Sequence, residues 1–374
     1  MGSMRQLLQR IFFTVVFAAG VCQVFSSVVD PNLEMVFELP LGPAGLTVTP
    51  RGNFILSVAN EEKPQNRAVE VTSGGESKPF PTTAISQGAP GEPLTLDAVS
   101  GLELGPDGTV WILDTGRRSE VSPKIVGWDY EHKKLARVVH LTRPAVLPSS
   151  VPENLNVDPA HPFIYIADPA SGGEAALIVL DLTTGLARRV LQGHPSVSAV
   201  SGLDLIIEGE KLETKRLDGS VADPIGGVNP LALDRKGEWL YFGPLRSTRL
   251  YRVRTEHLRN AALAPEKLAG LVEQYADKPI CAGITLDNKG NIYVSDLAHK
   301  AIGMIAAGSK QYSILVTDPR LLWPDGLCFG VDGRLYFYTN TRRATSAASH
   351  RVNPLPQTNH LFRISTLASG RVGS

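Results

Sequence analysis

Gly101-Leu102-Glu103-Leu104-Gly105-Pro106-Asp107-Gly108-Thr109-Val110-Trp111-Ile112-Leu113-Asp114 decides the fold, because variants of this phrase stand at five other places in the chain. An alternating strand runs into a turn built on Asp-Gly, and a second strand follows. The Asp-Gly pair supplies the positive φ that a tight antiparallel turn requires, so the phrase reads as a β-hairpin. Upstream stands Gly45-Leu46-Thr47-Val48-Thr49-Pro50-Arg51-Gly52-Asn53-Phe54-Ile55-Leu56. Downstream, Asn154-Leu155-Asn156-Val157-Asp158-Pro159 runs on to Phe163-Ile164-Tyr165-Ile166-Ala167-Asp168. Pro230-Leu231-Ala232-Leu233-Asp234 then leads through Lys236-Gly237 to Trp239-Leu240-Tyr241-Phe242. Gly283-Ile284-Thr285-Leu286-Asp287 and Gly326-Leu327-Cys328-Phe329-Gly330 open the last two copies.

Most copies are followed by a second hairpin, as in residues 123–129 before 135–141, and 176–181 before 187–191. Two hairpins make a four-stranded sheet. Sheets of this kind bury both faces when repeated around an axis, which leaves only short edges exposed. The predicted fold is therefore all-β, a six-bladed β-propeller with four-stranded blades over residues 28–374. A pair of open sandwiches is the alternative; the similarity and spacing of the six copies favour the ring. Residues 36–40 have no hairpin of their own and are expected to close the ring beside His360-Leu361-Phe362-Arg363-Ile364. In the longest gap, residues 203–207 and 212–217 read as an added hairpin. Residues 265–275 read as a short helix, and 342–356 as a loop over the ring.

Lys+Arg and Asp+Glu each number 37, so the chain lacks the basic excess with which proteins neutralise phosphates, and no nucleic-acid partner is expected. Residues 1–27 have the layout of a signal peptide: Arg5 and Arg10 precede an uncharged apolar run at 11–21, too short to span a bilayer comfortably. The expectation is a secreted or periplasmic protein with no stable membrane insertion after cleavage; an uncleaved anchor is the alternative. Cleavage removes Cys22 and leaves Cys281 and Cys328, which read as buried free thiols rather than a bridge. Trp111, Trp128, Trp239 and Trp323 fall on or beside strands and read as core.

In such a ring the residues leading into the innermost strands and those ending the second strands crowd one mouth of the channel. The lead-in pairs are Pro43-Ala44, Val99-Ser100, Glu153-Asn154, Val228-Asn229, Cys281-Ala282 and Pro324-Asp325. The strand ends are Asp114-Thr115, Asp168, Gly243-Pro244, Asp296 and Asn340. From these come the candidate ligand-binding residues Glu153, Asn154, Asn229, Asp296, His299, Asp325 and Asn340. A small molecule is the expected partner. No cofactor is demanded, but Asn154, Asn229 and Asp325 are the candidate ligands for Ca²⁺ or another divalent cation, which takes six to eight oxygens. Carboxylates beside such a metal can act as general bases. The plainer reading of Asp114, Asp168 and Asp296 is that they cap loops by accepting backbone N–H bonds. His299 either overlooks the mouth or bonds a loop carbonyl, and His194 reads as structural. Arg117-Arg118 and Arg342-Arg343 are either an acidic ligand's rim or solvated loop charges. No phosphate loop, zinc spacing or nucleophile elbow is present.

Val110-Trp111-Ile112-Leu113-Asp114-Thr115-Gly116 with Pro123-Lys124-Ile125-Val126-Gly127-Trp128-Asp129 resembles a phrase of the major royal jelly/yellow family. Leu240-Tyr241-Phe242-Gly243-Pro244-Leu245-Arg246-Ser247 with Leu250-Tyr251-Arg252-Val253, and Trp323-Pro324-Asp325-Gly326-Leu327, are similar to later stretches. The likeness runs over residues 35–365. It implies a six-bladed propeller, usually secreted, with a ligand pocket at the channel mouth. Some relatives bind small amines, some are linked to dopachrome conversion, an isomerisation, and others have no known activity. Insect relatives carry a cysteine where Ser122 stands here, so their disulfides are not expected and a microbial branch is implied. A more distant likeness is to regucalcin/gluconolactonase propellers, which hydrolyse lactones around a divalent metal held by a first-blade Glu and later Asn and Asp residues. Asn154, Asn229 and Asp325 match the later positions; Pro43-Ala44 stands where the Glu would be, unless Glu153 substitutes. The two readings are a small-molecule-binding propeller, with or without isomerase activity, and a metal-dependent lactonase or esterase; an interaction scaffold without a ligand is a third.

Overall fold

The computed structural model describes residues 30–59, 64–89, 92–117, 119–207, 209–211, 214–215, 221–222, 226–341 and 358–374. The expected signal peptide with Cys22, residues 28–29, Arg118, and the 342–356 loop with Arg342-Arg343 lie outside the described residues.

Six sheets of four antiparallel strands circle an axis. From the channel outward, blade 1 is Pro43–Val48, Phe54–Val58, Ala68–Val71 and Ser77–Pro79. Blade 2 is Val99–Leu104, Thr109–Asp114, Lys124–Asp129 and Lys134–His140. Blade 3 is Leu155–Val157, Phe163–Asp168, Ala176–Asp181 and Ala187–Val190. Blade 4 is Val228–Leu233, Trp239–Pro244, Arg249–Arg254 and Glu273–Asp277. Blade 5 is Cys281–Leu286, Ile292–Asp296, Ala301–Ile305 and Tyr312–Thr317. Blade 6 takes Pro324–Phe329, Leu335–Thr339 and Asn359–Ile364 from one part of the chain and Glu34–Leu39 from another. That last strand closes the ring beside the expected partner, with Glu38 opposite His360 and Leu39 opposite Asn359.

The hairpin turns form for the anticipated reason. Gly108 and Gly290 hold φ of +81° and +82°, a region that only glycine occupies without strain. Turn aspartates then take a tyrosine hydroxyl from the following strand: Tyr165 donates to Asp158 at 3.0 Å, Tyr293 to Asp287 at 3.1 Å and Tyr336 to Asp332 at 2.9 Å. Between blades 2 and 3, Leu113 and Ile125 pack against Leu155, Ile166 and Ile178. Burying each such side chain contributes about 1.5–3 kcal/mol, and it is this inter-blade packing that fixes where the strand ends stand.

Three expectations need adjustment. The added segment is two small ladders instead of one hairpin: Ile206–Ile207 pairs with Glu210–Lys211, and Thr214–Lys215 with Val221–Ala222. The chain turns back at once because Gly209 holds φ +80°. The helix at 265–275 ends at Ala269, and Glu273–Asp277 is instead the outer strand of blade 4. Trp111, Trp128 and Trp323 are buried, whereas Trp239 lies half-buried at the rim under the Arg252 guanidinium, 4.0 Å from its ring. Cys281 and Cys328 are free and buried. No helix among the described residues is long and apolar enough to cross a membrane.

Candidate functional site

Five of the six innermost strands begin with an irregular register, between Pro43/Gly45, Val99/Gly101, Val228/Leu231, Cys281/Ile284 and Asp325/Cys328. Such bulges re-aim side chains, and here they lie where the strands enter the channel from one mouth. Blades 3 and 4 bring three polar side chains together there. Asn154 Nδ2 donates to Asn229 Oδ1 at 2.5 Å and to the Asn229 carbonyl at 3.0 Å. Asn229 Nδ2 donates in turn to the Glu153 carboxylate. Asp325 reaches in from blade 6; its Oδ1 accepts the Gly326 N–H at 2.8 Å. Gly283 of blade 5 makes room for it, since a Cβ there would stand 2.9 Å from Asp325 Oδ1.

Asn154 and Asp325 line a central cavity of about 60 Å³. Deeper in the same cavity lie Glu103 and Asn156, and Gly373 and Ser374 form its floor. Asn156 Nδ2 donates to Glu103 at 2.9 Å, while Asn156 Oδ1 is buried without a hydrogen-bond partner among the described residues. Burial pushes the Glu103 carboxyl above the ordinary range, with Arg371 pulling the other way. Across the mouth side of blades 4 to 6, Leu205 and Ile207 pack on Leu245, Ala282, Leu297, Leu322 and Trp323. The added segment thus sits on the mouth side of blades 4 to 6, beside the cavity and not among the residues that line it.

The other candidates sit behind this set. Asp114 is fully buried, accepts the N–H groups of Asp97, Ala98 and Gly116, and pairs with Lys124 at 3.0 Å. Asp168 accepts from Val151 and Ala170 and pairs with Arg189 at 2.5 Å. Asp296 accepts the His299 N–H at 3.1 Å, the His299 ring at 2.7 Å and the Tyr312 hydroxyl at 2.7 Å. His299 itself is well exposed and held by that carboxylate. Asn340, buried, donates to the Pro43 carbonyl at 2.8 Å across the seam between blades 6 and 1. Asp296 and Asn340 are therefore spoken for by the framework. Neither they nor Asn229 are among the residues lining the cavity.

Three features escaped sequence reasoning. Asn156 was readable as an inner-strand residue but not as an orphaned acceptor. Lys278 fills the strand-end gap of blade 4, where Gly243 replaces the aspartate; it is buried and donates to the Ser247 carbonyl at 2.7 Å and the Pro279 carbonyl at 3.2 Å. Burial holds its ammonium below the usual range and raises the neighbouring Cys281 thiol. The floor made by residues 370–374 carries no local signal.

A divalent cation does not fit this donor set. Asn229 Oδ1 already accepts the Asn154 amide, and blades 1 and 5 present Ala44 and Ala282 at this level. No group of three or more His, Cys, Asp or Glu among the described residues is arranged to hold a metal. A hard cation would need the amide pair broken and several waters added to reach six oxygens.

The family profile described as major royal jelly protein matches residues 101–352. The chain belongs to that family. No curated protein matches it closely enough to count. Among solved structures, this royal jelly family propeller is similar to a luciferin-regenerating enzyme, with 11% identity, TM-score 0.57, and 91% of this chain and 97% of the other covered. It is similar also to a regucalcin from Agrobacterium tumefaciens described as a calcium-binding protein, with 15% identity, TM-score 0.56, and 90% and 94% covered. A gluconolactonase from Xanthomonas campestris aligns with 11% identity, TM-score 0.53, and 89% and 88% covered. At such identities the likeness establishes the propeller and leaves the chemistry to the site itself.

Proposed function

We propose that this royal jelly family propeller binds a small amine-bearing molecule at the Asn154 mouth of its channel, and that it does so outside the cytoplasm. The observation that carries the reading is the central cavity lined at its mouth by Asn154 and Asp325, whose side-chain oxygens are hydrogen-bond acceptors. A ligand that fits acceptors must bring donors. The Asp325 carboxylate in the wall, with Glu153 behind Asn229, favours a cationic donor. The head group of such a ligand enters this cavity, and the rest of the molecule lies at the mouth. If an isomerisation accompanies binding, Asp325 is the carboxylate in the cavity wall that can move a proton.

Thermal melts with tyramine, a catechol and gluconolactone test this. The expected result is stabilisation by tyramine that is lost in Asp325→Asn, because binding to the native state raises its apparent stability. No shift with any amine would end the reading. The metal-dependent lactonase is the second reading, supported only by the positions of Asn154, Asn229 and Asp325. Stoichiometric tightly held metal in purified protein would restore it. For the extracellular site, sequencing the N-terminus of exported protein should find residues 1–27 removed.

A further inference from the structure

Residues 370–374 cross the channel at the end opposite the Asn154 mouth and touch several blades. Asp287 of the fifth hairpin bridges Gly370, and Phe329 of blade 6 bridges Val372. Arg371 forms an ion pair with Glu103 of blade 2 and donates to the Val157 carbonyl of blade 3 at 3.3 Å. The Gly373 carbonyl accepts the Thr47 hydroxyl of blade 1 at 2.7 Å, and the Ser374 carbonyl accepts the Thr285 hydroxyl of blade 5 at 3.1 Å. Gly373 N–H returns to the Phe329 carbonyl at 2.8 Å. Two glycines make the close approach possible. A Cβ on Gly370 would stand 2.1 Å from the Phe329 ring, and one on Gly373, at φ +76°, would stand 2.6 Å from Leu104 Cβ and 2.7 Å from the Val48 carbonyl.

We infer that residues 370–374 are a plug that seals the far end of the channel and thereby sets what the binding cavity accepts. With the plug seated, Gly373 and Ser374 floor the cavity whose mouth Asn154 and Asp325 line. On this inference the seated plug admits a primary ammonium and turns away the bulkier trimethylammonium. With the plug removed, the channel runs through and the bulkier head enters. The size limit rests on the amine-binding reading; the seal itself does not.

Cys328 reports on the seal independently of any ligand. It lines the cavity beside the plug and is almost wholly buried, and burial pushes its thiol well above the ordinary range. Cys281 is equally buried but does not line the cavity, so it serves as an internal control for general loosening. In native protein treated with methyl methanethiosulfonate, deletion of residues 370–374 should speed labelling of Cys328 by at least about tenfold, since a sealed thiol reacts only from opened states. Cys281 should stay protected. Arg371→Ala, which keeps the chain length, should give an intermediate rate and covers the case in which the deletion fails to fold. Unchanged protection of Cys328 in both variants, or parallel labelling of Cys281, would overturn the plug. In a second arm, tyramine should stabilise the parent and its N,N,N-trimethyl derivative only the deletion variant. Stabilisation of the parent by both would refute the size limit. If no amine stabilises the parent while Cys328 still becomes exposed in the variants, the amine reading fails, the size limit falls with it and the seal stands.

Discussion

Two sets of polar residues stand at the same mouth of this propeller and do opposite things. The strand-end aspartates Asp114 and Asp168 are fully buried, each holding backbone N–H groups of the incoming loop and a buried cation, Lys124 or Arg189. The lead-in residues Glu153, Asn154 and Asn229 bond to one another, and Asn154 and Asp325 face the cavity. Residue type does not separate the sets. What separates them is reach: N–H groups of the loops on either side fold onto a strand-end carboxylate, whereas the lead-in side chains of blades 3 and 4 meet one another at the channel.

The largest expected effect falls on the framework set. Asp114→Ala strands the Lys124 ammonium and three N–H groups in the interior, so denaturant unfolding should show a loss of about 3–5 kcal/mol. Asp325→Asn keeps shape and should shift the unfolding midpoint little, under about 1 kcal/mol, while abolishing stabilisation by tyramine. If the two variants exchanged behaviour, the contrast between the sets would collapse. A pH effect sharpens it from a third position. His360 is buried and its imidazole is held below the ordinary 6.5 by desolvation, with Glu38 opposing. As pH falls through 6.5 the unfolded chain takes up the proton before the native state does. Melting temperature should therefore fall with acid over that window, and His360→Gln should flatten the profile. The smallest effect belongs to His299→Ala. The ring is 61% exposed beside Asp296, so its removal should cost under about 1 kcal/mol and leave tyramine binding intact.

The ring was legible because six hairpins repeat one phrase, and a repeated phrase constrains every blade at once. Closure by residues 36–40 followed from the missing hairpin of the last blade. The polar mouth was legible as a set of positions but not as a division of labour. Asp114, Asp168 and Asp296 read more plainly as caps than as ligands, but only the folded loops show which N–H groups reach them. Lys278, Asn156 and the 370–374 plug were not legible at all. Each gains its role from a partner distant in sequence, such as Gly243, Glu103 or Phe329, and no local spacing encodes such a meeting.

The central claim is that the lead-in residues form the binding site and the strand-end aspartates are its frame. Thermal melts of the parent, Asp325→Asn and Asp114→Asn, each with and without tyramine, test it most directly. The account predicts a tyramine shift in the parent, none in Asp325→Asn, and a retained shift in Asp114→Asn on a lower baseline. An equal shift in Asp325→Asn, or its loss in a folded Asp114→Asn, would contradict it.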